Sequence, residues 1–75
     1  MNQTKSRERF VSLAEKRVAR TIKDIRLIGN LSNRTNYTYT NDDVKKIASA
    51  LSAELANMKK RFETRNETEE VIFKL

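Results

Sequence analysis

The chain has 75 residues, 35% of them charged, with a formal net charge of +6 and neither His nor Cys. A chain this short makes one small domain at most, and its core leaves little net stability without self-association or a partner. The lack of His and Cys excludes a disulfide framework, a thiolate metal site and the common zinc and proton-transfer chemistry, so no enzyme, metal centre or cofactor is expected.

The opening MNQTKSRERF has no apolar signal core, and no run approaches the roughly 18 apolar residues of a membrane span. A cytoplasmic protein that does not enter the membrane is the expectation. Charge is unevenly spread. Residues 1–62 carry 14 Lys and Arg against six acids (+8), whereas residues 63–75 carry two against four (−2). A basic body suits nucleic acid, an acidic protein face or anionic lipid; its bland alternative is solubility through a charged helical surface.

A first helix is expected over about 6–28, with Ser6 as cap and Glu8 in the first turn. Phe10, Val11, Ala14, Val18, Ile22, Ile25 and Ile28 recur at spacings of three and four and make one apolar stripe. Arg9, Lys16, Arg17, Arg20, Lys23 and Arg26 occupy the remainder. Lys16, Arg20 and Lys23 stand on adjacent turns as a basic ridge, with Asp24 four residues after Arg20 as a possible ion partner. The ridge is either a solvated face or a phosphate-facing one.

Gly29, the only glycine, falls where this periodicity stops, and a left-handed Gly is a common helix end. Residues 29–40 then read as a loop, because Asn30, Ser32, Asn33 and Asn36 readily bond their own backbone in turns. Connections of about a dozen residues are long for a helical bundle and are often binding loops. Arg34 offers a cation for phosphate or carboxylate, and Tyr37 and Tyr39 offer stacking surfaces. Alternatively, NYTYT is an extended piece whose tyrosines cover the end of a bundle. Five Asn-x-Ser/Thr sequons begin at Asn2, Asn30, Asn33, Asn36 and Asn66, and turn and cap chemistry is the simpler account of them.

The clearest boundary is the start of the second helix, expected over 41–64. Thr40 is placed to cap the Asp43 amide, Asp42 and Asp43 meet the positive end of the helix dipole, and Tyr39 precedes the cap where a hydrophobic staple to Val44 would begin. Val44, Ile47, Ala48, Leu51, Leu55, Met58 and Phe62 form its stripe, with steps alternating three and four from Ala48 onward. Ala50, Ala53 and Ala56 raise helix propensity and keep flanking positions small. Lys59, Lys60 and Arg61 are expected in the last packed turns, facing the negative end of the dipole. In the tail ETRNETEEVIFKL, acids precede an apolar end that reads as a short strand or a last helical turn. It is expected to pack on the bundle, pair with its twin or dock in a partner.

Two such helices bury their stripes by folding back on one another, so the expected fold is all-α: an antiparallel helical hairpin dimerising into a four-helix bundle. At IRLIGNLSNRTNYTYT the chain resembles short bacterial proteins of phages and mobile elements, which place such a loop between two charged helices. That resemblance covers about residues 10–62 and implies no activity or site residues. In architecture alone the chain is similar to the plasmid-encoded Rop proteins, dimeric helical hairpins that bind RNA through a basic helix face, with no shared residue motif.

Two functions are expected to compete. One is a small basic regulatory protein, with Lys16, Arg20, Lys23, Arg26 and Arg34 contacting nucleic acid. The other is an interaction module, an inhibitor or adaptor from a phage or mobile element, docking on a host protein or nucleoprotein complex with Tyr37 and Tyr39 at the contact.

Overall fold

The computed structural model describes the backbone of residues 3–74 and the side chains of residues 4–65. Every regular element among the described residues is helical. The chain divides into two units, residues 1–38 and 39–75, each built on one long helix.

In the first unit, α1 spans Gln3–Gly29. It begins a turn earlier than the Ser6 cap suggests, because Gln3 and Lys5 are good helix formers and nothing in QTKS breaks a helix. Glu8 therefore lies in the second turn, and the first turn holds no acid. The Arg7 guanidinium sits 5.8 Å from the Phe10 ring centre, three residues on. Thr21, on the edge of the apolar stripe, donates its hydroxyl to the Arg17 carbonyl at 2.8 Å. That bond satisfies the hydroxyl within the helix and leaves the methyl as the group Thr21 adds to the stripe.

The end of α1 differs from the sequence expectation. Gly29 keeps a right-handed conformation (φ −58°, ψ −31°) and leads into a 3-10 turn, Asn30–Ser32. Tightening to i+3 bonds uses the last carbonyls without a left-handed residue. The helical path stops instead at Asn33, whose backbone is extended (φ −71°, ψ 101°). A Cβ built on Gly29 meets nothing within 4 Å. Gly29→Ala is thus expected to stabilise the protein by roughly 0.5–1 kcal/mol in a thermal or urea melt. A loss of about 1–2 kcal/mol would instead indicate a left-handed Gly29.

Asn33 also organises the residues after it. Its carbonyl accepts the N–H groups of Asn36 (3.1 Å) and Tyr37 (3.0 Å), and its side-chain oxygen accepts that of Thr35 (3.0 Å). One Asn thereby closes the turn over 34–36, using the local side-chain bonding that disfavours Asn inside helices.

In the second unit, α2 spans Asn41–Lys74. Its start bears out the expected Thr40 cap and adds a return bond from the Asp43 carboxylate. The Asp43 N–H donates to Thr40 Oγ1 at 3.1 Å, and the Thr40 N–H donates to Asp43 Oδ2 at 2.9 Å. This reciprocal box satisfies two amides at the helix start, a contribution of about 1 kcal/mol. Lys46 and Asp42 pair one turn apart at 3.2 Å. Both are largely exposed, so the pair adds only a few tenths of a kcal/mol.

The far end of α2 runs beyond the expected Thr64, with no break before Lys74. The tail segment that also reads as a strand is helical in its backbone. Its side chains and Leu75 lie outside the described residues, as does the expected docking of the tail. Lys59, Lys60 and Arg61 consequently sit inside the helix, several turns from its last carbonyls. The helix dipole, which acts over the terminal turn, no longer accounts for them.

Among the described residues none is buried. Val11, Ala14, Ile28 and Tyr39 are half-buried. Ile25 is 47% exposed on α1, and Leu51, the least exposed large apolar residue of α2, is 39% exposed. The stripes expected to form a core stand open on their helices, partly covered by helical neighbours. None of the described helices is long and apolar enough to cross a membrane.

Candidate nucleic-acid interface

The cations of α1 are sorted by helical angle. At about 100° per residue, Lys16, Arg20 and Lys23 fall within some 60° of one another, on the side of α1 opposite Val11, Val18, Ile22 and Ile25. All three are exposed. Of the other expected site residues, Arg26 is also exposed but turns about 80° from the middle of this row, onto the flank that carries Glu8 and Glu15. Arg17 lies on the opposite flank, at nearly the same helical angle as Asp24.

Arg34 is exposed in the turn that Asn33 closes. Tyr37, just after it, is 48% exposed and has its amide held by the Asn33 carbonyl. Tyr39 differs from Tyr37: it is half-buried and immediately precedes the Thr40 cap. That is the position of a hydrophobic staple, which favours the structural role weighed for it.

Helical angle also brings in residues that sequence reasoning missed. Lys5 and Arg9 extend the row toward the start of α1, and Ser12 fills the interval between Arg9 and Lys16. Arg9 and Ser12 were legible from helical spacing within the expected helix, whereas Lys5 joins the row only because α1 begins at Gln3. Leu13 and Leu27, 43% and 55% exposed, lie beside the cations rather than on the apolar stripe. On α2, Asn57, Lys60, Arg61, Thr64 and Arg65 line a shallow, open groove. This is a second basic surface, on the stretch whose charges the dipole does not explain.

Among the described residues, no three His, Cys, Asp or Glu side chains gather where they could hold a metal ion. The row offers charge and hydrogen-bond donors, which suit oxyanions. No protein-family model matches the chain, and no curated protein or solved structure matches it. The case for function rests on the residues themselves.

Proposed function

We propose that the protein is a small, non-enzymatic, cytoplasmic regulator that binds nucleic acid through the basic face of α1, with Arg34 in the connection adding a phosphate contact. The observation that carries this is the row of exposed cations, Lys16, Arg20 and Lys23, on a face of α1 that holds no acid. A row serving only solubility would be expected to mix signs, because opposite charges at i,i+4 stabilise a helix and like charges there destabilise it.

In the proposed assembly, α1 and α2 fold back as an antiparallel hairpin, and two hairpins close a four-helix bundle over the stripes. Support comes from the alternating steps through Val44, Ala48, Leu51, Leu55, Met58 and Phe62, which suit a left-handed helix seam, and from the exposure of the large apolar residues among them. Burying the stripes leaves the cation row outermost, since it occupies the opposite side of α1.

Fluorescence anisotropy with labelled duplex DNA, single-stranded DNA and RNA at about 50 mM salt tests the proposal, because counterion release makes such binding strongest at low salt. Saturable binding that weakens steeply as salt rises is expected. No binding to any of the three overturns it.

The exposed stripes favour a competing possibility, an interaction module of phage or mobile-element origin that docks an apolar face on a host protein. Salt separates the two. A complex held by apolar burial survives about 1 M salt, whereas phosphate contacts do not.

A further inference from the structure

From the geometry of α1 we infer that the ligand of this face is the sugar-phosphate backbone of a duplex, held along one strand edge without base recognition. This inference rests on the nucleic-acid binding proposed above and specifies its substrate. The row comprises Lys5, Arg9, Ser12, Lys16, Arg20 and Lys23, at steps of four, three, four, four and three residues. One hydrogen-bond donor per helical turn therefore lies on one side of α1, within about 80° and over about 27 Å. No acid falls inside that arc. The row is long enough to meet about five successive phosphates of one strand, whose winding path is longer than the roughly 3.4 Å axial rise per base pair.

Three features select a duplex backbone. First, the row contains no aromatic residue: Phe10 belongs to the apolar stripe beside Arg7, and Tyr37 lies beyond the helix. Proteins that hold single strands stack bases on aromatic rings, which this face lacks. Second, the donors recur about once per turn along α1, which suits a regular array of phosphates. Third, the flanks carry acids, Glu8 and Glu15 on one side and Asp24 on the other. A helix lying in the major groove has phosphates on both sides, and these carboxylates would face them. A helix resting along one strand edge turns its cations inward and its acids toward water. Contacts of this type position a protein but carry no sequence information.

The test measures affinity across salt for two unrelated DNA duplexes of roughly 16 base pairs, twice the span of the row, for either strand alone, and for an RNA duplex. The two DNA duplexes are expected to bind equally, within about twofold, and more tightly than either strand. The slope of log K against log salt is expected near −5.4 per engaged chain, from the five cations of the row and Arg34 at about −0.9 each. Arg9→Ala should reduce that slope by about 1. Ser12→Ala should weaken binding without changing it, because a hydroxyl releases no counterion.

Tighter binding of a single strand, lost in Tyr37→Ala, overturns the inference while leaving nucleic-acid binding intact. So does a difference of tenfold or more between the two DNA sequences. Preference for the RNA duplex over DNA keeps the backbone contact and identifies the source of the phosphates. Failure of every ligand at the lowest salt overturns the proposed function itself. Helical circular dichroism of each variant, unchanged from the parent, confirms that a loss of binding is not a loss of fold.

Discussion

Leu51→Ala is expected to lower stability by about 2–5 kcal/mol, the range for truncating a buried leucine. In a chain of this size that is a fall in thermal midpoint of roughly 8 °C or more at fixed protein concentration. The sign of the effect is informative. Leu51 is the least exposed large apolar residue of α2 among the described residues, yet 39% of it is open. On a helix that stays solvated, Ala is the better helix former, so the same substitution would be neutral or slightly stabilising. Only a covered stripe makes it costly. The parent protein should scatter light with roughly twice its chain mass of 8.8 kDa, and the variant should shift toward the single-chain mass on dilution. A parent that remains monomeric at about 100 μM would remove the four-helix bundle from the proposal.

Replacing Lys16, Arg20 and Lys23 together by Glu should weaken duplex binding by at least about a thousandfold near 0.1 M salt, because each lost phosphate contact removes close to a tenfold gain there. Stability should change little, since these side chains are exposed and lie opposite the apolar stripe. Arg26→Glu is the internal comparison. It removes the same charge from the same helix but about 80° from the middle of the row. A drop clearly smaller than that of each row position taken singly is expected. Equal losses at Arg26 and Arg20 would mean that net charge, rather than the arrangement of the row, governs binding.

How much of this was legible in the residues depends on the range over which each feature is decided. The start of α2 needed only four positions, Thr40 to Asp43, because a capping box closes between a side chain and an amide three residues away. The two helices and their stripes were legible for a similar reason: apolar spacings of three and four can face one side of a chain only as a helix. The end of α1 lies within one residue of the expected Ile28, but its conformation differs from the expected left-handed turn. Gly29 permits a left-handed turn but does not require one, and the choice depended on whether the chain reversed there or tightened into a 3-10 turn and stopped at Asn33. The end of α2 was placed too early, since acids and alternating apolar residues in the tail do not forbid a helix.

Sequence by itself determined that this protein is helical and where its second helix begins. Those properties follow from composition and from interactions within one helical turn. The three-dimensional structure decided the conformation of Gly29, the role of Asn33 as the helix stop, and the extension of the α1 cation row to Lys5. These depend on where a helix starts and ends, because a shift in either boundary adds or removes a turn, and with it a member of the row.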